Sequence, residues 1–181
     1  MGVVVTTSKQ SEELLRKGGF DPRPLTEVQQ PLDIYVDGAD EVDPRLNLIK
    51  GGGGALTSEK IVANNAKKFI CIVDESKLVQ KLGKFPLPVE VISSAVPSIS
   101  RIFSRDYNAS ARKREGFTEH GNRIIDVAGL EIESPENLEG ELNQIPGVVT
   151  VGLFCKLKPY SCLVGYDMEV KEIFKKDATN K

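Results

Sequence analysis

The sequence predicts an α/β protein in which a smaller α+β lobe is inserted into a parallel-sheet lobe. Apolar runs of strand length alternate with helix-like segments in the first part of the chain. Pro86 and Pro88 then interrupt this pattern in "LGKFPLPVEV", and it resumes at Tyr160. Because regular alternation of strands and helices is typical of a parallel sheet, we expect helices on both of its faces.

The elements of the first lobe follow one another in a Rossmann-like order. "VVVTTS" predicts a short buried strand, and the next segment an amphipathic helix from about Lys9 that ends at Gly18 and Gly19. "LDIYVDGAD", residues 32–40, predicts a second strand. A helix over residues 56–67 then leads to the strand "FICIVD". Ligands of such sheets sit at the carboxyl ends of the strands.

The second lobe is predicted to be a small α+β unit of ferredoxin-like type, because its strands and helices alternate more loosely. Helices are expected at residues 97–104 and 134–144, and strands in "ASARKREG", "NRIIDVAG" and "VVTVGLF". "YSCLVGY" and "MEVKEIFKK" are expected to return to the first lobe as a strand and a helix. The predicted domains are residues 1–84 plus 159–181, and residues 85–158.

Composition excludes several classes of protein. The chain has 181 residues, 40% hydrophobic and 28% charged, with a net charge of −2, so it offers no electrostatic footprint for nucleic acid or an anionic membrane. No apolar run approaches the ~20 residues that span a bilayer. Cys71, Cys155 and Cys162 are widely spaced and odd in number, which favours a reducing, cytoplasmic location. His120 is the only histidine, so no transition-metal site is predicted.

The stretch "DGADEVDPRLNLIKGGGGALTSEK" carries the candidate chemistry. Asp37 and Asp40 come where an apolar strand ends, so both carboxylates are expected at the rim of the crevice. An Asp-Gly pair that only forms a turn is the alternative. Lys50 and the four glycines 51–54 precede a helix, which predicts an anion site. The stretch matches neither the P-loop nor the dinucleotide fingerprint.

Glu59 lies in the first turns of that helix, where a carboxylate is already favoured by the helix dipole. A purely structural glutamate is therefore one interpretation. The other follows from its neighbours, since a carboxylate base, donors for an enediolate oxygen and an acid for a ring oxygen are what proton abstraction next to a carbonyl requires.

These motifs, followed by "FICIVDESK", "LGKFPLPVEV" and "IPGVVTVGLF" in the same order, resemble ribose-5-phosphate isomerases of the A type. The resemblance implies a homo-oligomer, dimer or tetramer, that interconverts ribose 5-phosphate and ribulose 5-phosphate without a cofactor in the pentose phosphate pathway. It implies that Glu59 is the base, that Asp37 opens the furanose ring with Asp40 beside it, and that Lys50 stabilises the enediolate. The substrate-binding residues that it implies are Gly38, Ala39, Gly51, Gly52, Gly53, Gly54 and Lys77, the last near the phosphate.

The resemblance is incomplete at the start of the chain. The family opens with a strand and a loop of the type GxGSTxxxxI that holds the phosphate, whereas Gly2 here leads into what resembles the second strand. We therefore expect the 181 residues to bind ribose 5-phosphate weakly and to isomerise it poorly or not at all. "TEHGN" replaces the usual TDNGN, and we expect it to lie away from the chemistry.

Two other functions fit the same fold. One is a sugar-phosphate sensing domain, although no basic helix-turn-helix pattern precedes Val3. The other is a non-catalytic subunit that assembles with longer partners. Asp37, Asp40, Lys50 and Glu59 argue against the second alternative without excluding it.

Overall fold

The computed structural model describes residues 2–174, and these residues form three β-sheets. The α-helices are α1 (Lys9–Lys17), α2 (Leu56–Asn64), α3 (Val96–Asp106) and α4 (Pro135–Leu142). The strands are β1 (Leu32–Asp37), β2 (Glu41–Val42), β3 (Leu48–Ile49), β4 (Ala66–Asp74), β5 (Leu87–Val91), β6 (Ser110–Lys113), β7 (Arg123–Ala128), β8 (Val148–Val151), β9 (Leu153–Phe154), β10 (Ser161–Gly165) and β11 (Val170–Phe174). Short 3-10 turns occupy Leu25–Glu27, Glu75–Lys77 and Ser93–Ala95.

The first sheet has the strand order β1-β4-β10-β11. Its first three strands are parallel, as predicted, and the carboxyl end of β1 lies beside the middle of β4 with Asp37 opposite Cys71. One face packs against α2 and forms a core that includes Tyr35 and Phe69. The other face leaves Ile34 57% and Val36 51% exposed. The prediction of helices on both faces is therefore wrong for residues 2–174.

The second sheet is antiparallel, with the order β6-β7-β5-β8. Helices α3 and α4 contribute Ile99, Phe103 and Leu142 to a separate hydrophobic core against it. This arrangement confirms the predicted fold class, an α/β sheet combined with a smaller α+β unit. The division at residues 84/85 and 158/159 stays a prediction.

A small third sheet, β2-β3-β9, joins the two larger ones. Leu48 pairs with Phe154 and Ile49 with Leu153, so the strand before the glycine loop lies against the strand that follows β8. Lys50 extends this contact by donating its backbone N–H to Gly152 O at 2.9 Å. The glycine loop is thereby anchored to the segment inserted between β4 and β10.

Two sequence predictions differ from the structure. "VVVTTS" belongs to no strand, because it faces β1 across a groove of about 370 Å³ instead of joining its ladder. "MEVKEIFKK" was predicted as a helix, but residues 170–174 form β11, which is hydrogen-bonded to β10 as an antiparallel hairpin. Its last two residues lie outside the described range. Pairing with an existing sheet edge overrides helix propensity there.

None of the helices within residues 2–174 is long and apolar enough to cross a bilayer.

Candidate active site

A buried lysine between two carboxylates forms the centre of the site. Lys50 Nζ lies 2.9 Å from Asp37 Oδ2 and 3.3 Å from Glu59 Oε2, and it donates to Gly38 O at 2.6 Å. Asp37 ends β1, Lys50 follows β3, and Glu59 lies in the first turn of α2. The fold therefore brings three of the predicted residues together at the carboxyl end of β1.

Burial makes this arrangement rigid. The Lys50 side chain is only 3% exposed, and its ammonium lies 5.6 Å from the centre of the Phe154 ring. A buried cation is costly unless it is paired and hydrogen-bonded. Since Asp37 and Gly38 O meet that requirement, the ammonium is held in place before any ligand binds.

Asp37 is oriented by a tyrosine that the sequence analysis did not identify. Tyr35 Oη donates a hydrogen bond to Asp37 Oδ2, and Gly38 N donates to Oδ1 at 2.8 Å. Burial, and then the Asp37 carboxylate, raise the pKa of Tyr35, so it remains a protonated donor. Tyr35 precedes Asp37 by two residues in β1, which puts both side chains on one face of the sheet. This two-residue spacing is the sequence signal that could have identified Tyr35 as a partner of Asp37.

Glu59 has the environment of a base. Its side chain is 13% exposed, and burial raises its pKa, with Asp37 adding to the shift and Lys50 opposing it. Oε2 is buried and has no hydrogen-bond partner among residues 2–174, and Lys50 Nζ lies 3.3 Å from it as an ion-pair partner. An acceptor with this freedom can receive a proton from a ligand.

The glycine loop requires glycine where it meets Asp40. Gly52 N donates to Asp40 Oδ2 at 2.8 Å, and a Cβ on Gly52 would lie 2.5 Å from Asp40 Oδ1. Gly51 and Gly54 have φ values of 98° and 87°, which favour glycine. The loop then leads into α2, whose N-cap residue, Ala55, makes no side-chain capping bond. Backbone N–H groups at the helix start are thus available to an anion.

Other predicted residues lie near this cluster without joining it. Ala39 and Gly53 belong to the two loops that flank it. Lys77 closes the 3-10 turn after β4, at the same sheet edge as Asp37. Among residues 2–174 no hydrogen bond or ion pair connects Lys77 to Lys50, Asp37 or Glu59. In the same range no group of His, Cys, Asp or Glu side chains is placed to hold a metal ion.

The expectation that "TEHGN" lies away from the site is wrong. His120 Nε2 is 3.0 Å from the hydroxyl of Ser58, the residue before Glu59. Thr118 and Asn122 donate to the buried Glu90, which also accepts from Thr57 on α2. The loop between β6 and β7 therefore packs against the first turn of α2, a long-range contact that a linear motif does not show.

Comparison with known proteins decides the family. The model of the family described as ribose 5-phosphate isomerase A (phosphoriboisomerase A) matches residues 3–169. The chain belongs to this family.

Two curated family members illustrate the likeness. A ribose-5-phosphate isomerase A of Leptothrix cholodnii is 50% identical over 162 residues, covering 89% of this chain and 73% of the relative. That of Bordetella pertussis is 55% identical over 151 residues, covering 83% of this chain and 66% of the relative. The chain thus spans 73% and 66% of the length of these two family members.

Solved structures of the family share the fold. Ribose 5-phosphate isomerase A from Neisseria gonorrhoeae has a TM-score of 0.91 at 44% identity, with 96% of this chain and 77% of that chain covered. A D-ribose-5-phosphate isomerase in complex with phospho-erythronic acid has a TM-score of 0.90 at 43% identity, with 95% and 77% covered.

Gly152 supports Lys50 by close backbone contact, and Gly152→Ala should test this. A Cβ on Gly152 would lie 2.3 Å from Lys50 O and 3.1 Å from Pro88 O. Because the clash is with backbone, we expect Gly152→Ala to lower the free energy of unfolding by about 1–3 kcal/mol. Urea unfolding measures this, and Gly165→Ala, whose Cβ would lie 3.7 Å from Val73 O, is the control. Equal stability of the two variants would contradict the prediction.

Proposed function

We propose that this chain interconverts ribose 5-phosphate and ribulose 5-phosphate by moving a proton between C1 and C2 through an enediolate. The observation that carries the proposal is the Lys50 ammonium held between the carboxylates of Asp37 and Glu59 in a member of this family. It supplies a base and a fixed positive charge within one small, buried site.

Glu59 is the proposed base. From the open-chain aldose, its carboxylate removes the C2 proton, a double bond forms between C1 and C2, and the C1 oxygen takes up the negative charge. The proton then returns to C1, while the C2 hydroxyl passes its own proton to the C1 oxygen and becomes the new carbonyl. A buried carboxylate with a raised pKa is a stronger base than an exposed one, which suits this step.

Lys50 and the loop amides are proposed to stabilise the enediolate. Charge that develops on the substrate oxygen is stabilised best by donors that do not reorganise during the reaction. Lys50 is fixed by Asp37, so it does not need to move. The bond from Gly52 N to Asp40 fixes the loop, and the N–H of Gly53, which has no acceptor among residues 2–174, is the loop amide proposed to donate. Asp37, oriented by Tyr35, is proposed to assist opening of the furanose ring, with Asp40, Gly38 and Ala39 beside the substrate.

Lys77 is proposed to contact the substrate phosphate from the end of β4. Its position at the sheet edge of Asp37 supports this role. Weak binding of ribose 5-phosphate and slow turnover by the 181 residues alone stay a prediction. This prediction is tested by comparison with an extended version of the chain, in which a family GxGST segment precedes Val3.

Formation of ribulose 5-phosphate from ribose 5-phosphate, followed for both versions, tests the proposed function. We expect turnover by the extended version and slower turnover by the 181 residues. Binding of ribose 5-phosphate without turnover by either version would favour the sensing alternative and contradict the proposal.

A homo-oligomer and a cytoplasmic location are further proposals. Sedimentation of the protein as a monomer at micromolar concentration would contradict the proposed homo-oligomer.

The pH dependence should report the environment of Glu59. Since its carboxylate must be ionised to act as a base, kcat/KM should fall as the pH falls through its pKa. Burial raises that pKa above the ordinary glutamate value of 4.5, so the midpoint of the acid limb should lie above this value. A pH profile of kcat/KM measures it, and a midpoint at or below 4.5 would contradict the assignment.

A further inference from the structure

We propose that Arg114 is a positioning residue that holds the glycine loop in the orientation needed for catalysis. This inference rests on the proposed function. Arg114 follows β6, far from the loop in sequence, and its side chain reaches across to two loop carbonyl groups. The family motifs in the sequence gave no indication of this contact.

The guanidinium of Arg114 is fixed on both sides. Nη1 donates to Gly51 O and to Gly52 O, each at 3.0 Å. Nε and Nη2 donate to the two carboxylate oxygens of Asp126, at 2.7 and 2.6 Å. The side chains of Arg114 and Asp126 are 23% and 14% exposed. A bidentate, partly buried pair fixes the plane of the guanidinium and therefore the direction of its remaining donors.

Planarity of the peptide group transmits this constraint to the loop amides. Gly51 O and Gly52 N–H belong to one trans peptide, so they point in opposite directions. With the carbonyl turned toward Arg114, the N–H is turned away from it, and it donates to Asp40 Oδ2 at 2.8 Å. The bond from Arg114 to Gly52 O fixes the direction of the Gly53 N–H in the same way, because these two groups belong to the next peptide. Gly53 N–H has no acceptor among residues 2–174, which leaves it available to a substrate oxygen.

Glycine makes such a tether necessary. Consecutive glycines can rotate their peptide groups at low cost, because no Cβ restricts φ and ψ. Hydrogen bonds to the carbonyl side remove that freedom, so the N–H groups are oriented before the substrate binds. Lys50 and Gly152 hold the start of the loop, and α2 holds its end. Gly51 O also accepts from Gly54 N at 3.0 Å inside the loop, but among residues 2–174 only Arg114 donates to these two carbonyls from outside it.

The test combines amide hydrogen exchange with kinetics in the 181-residue chain. Arg114→Lys keeps the positive charge but loses the planar fork, and Asp126→Asn keeps Arg114 but weakens its support. Arg112→Lys is the control, because Arg112 lies opposite Asp126 in the β6–β7 ladder and is exposed. Exchange at Gly52 and Gly53 is followed by NMR. Loss of the C2 proton of ribose 5-phosphate in D2O, which detects slow turnover, gives kcat and KM.

We expect Arg114→Lys to speed exchange at Gly52 by tenfold or more and to lower kcat by about 10- to 100-fold, with KM changed much less. Asp126→Asn should change both quantities in the same direction by a smaller factor, and Arg112→Lys neither. Unchanged exchange in folded Arg114→Lys, or an equal loss of kcat in Arg112→Lys, would overturn the proposal. If the wild-type chain removes no C2 proton, the proposed function fails in this chain, and exchange at Gly52 still decides whether Arg114 holds the loop.

Discussion

Glu59→Gln should lower kcat by about 10²–10⁴-fold and change KM little, which is the range typical of losing a general base. The amide has nearly the shape of the carboxylate but cannot accept the proton. Lys50 and the loop donors remain, so binding should be preserved. Kinetics of the extended version with ribose 5-phosphate measure this, with the exposed helix residue Glu13 changed to Gln as the control.

The same substitution should not destabilise the fold at neutral pH. Because the folded-state pKa of Glu59 is raised, the folded chain binds the proton more tightly than the unfolded chain does. This contribution to stability is present below the ordinary pKa and is lost as the pH rises through the folded pKa. Glutamine carries no charge, so it avoids the cost of ionising a buried group.

Urea unfolding of Glu59→Gln at neutral pH should therefore give a free energy of unfolding equal to or above that of the wild type. A near-normal kcat would remove Glu59 from the mechanism. A large loss of stability together with the loss of kcat would show that Glu59 acts in folding and not as a base.

Lys50→Met should reduce both stability and activity. The substitution leaves Asp37 and Glu59 facing each other without the cation between them. Breaking a buried ion pair from one side costs about 3–5 kcal/mol. Loss of an oxyanion-stabilising donor lowers kcat by about 10²–10³-fold. The pKa of Glu59 should also rise further, because Lys50 is the group that lowers it.

Urea unfolding and the pH profile of kcat/KM measure these effects of Lys50→Met. The matched control is Lys67→Met, since Lys67 pairs with Asp33 at 2.7 Å but is 63% exposed. An exposed pair is screened by solvent, so its loss should matter far less. Similar destabilisation by the two substitutions would contradict the account of Lys50 as a buried, preorganised cation.

The parts of the fold that depend on local patterns were predictable from the sequence. Helix α1 ends at Lys17 with Gly18 as its C-cap, and β1 ends at Asp37, where the sequence signals lie. The strand β11 was not predicted, nor was the absence of a strand at residues 3–7, because both depend on which sheet edge is available. Pairing between distant strands is a tertiary property that a local window does not contain.

The candidate site divides in the same way. Asp37, Asp40, Lys50, Glu59 and the glycines occupy one continuous stretch, and the structure brings Lys50 against Asp37 and Glu59. The groups that orient them lie elsewhere. The alternation of side chains along a strand could have identified Tyr35, which lies two residues before Asp37. Arg114 and His120 come from the segment between β6 and β7, and only the folded chain places them against the glycine loop and α2.

Loss of the C2 proton of ribose 5-phosphate tests the central claim, that Glu59 moves this proton. NMR in D2O, with wild-type and Glu59→Gln forms of the extended version, measures the rate at which the C2 proton is lost. We predict that the wild type removes the C2 proton as ribulose 5-phosphate forms, with the same proton or a deuteron from the solvent delivered to C1, and that Glu59→Gln slows the loss of the C2 proton by about 10²-fold or more. Equal rates of proton loss in the two proteins would contradict the account.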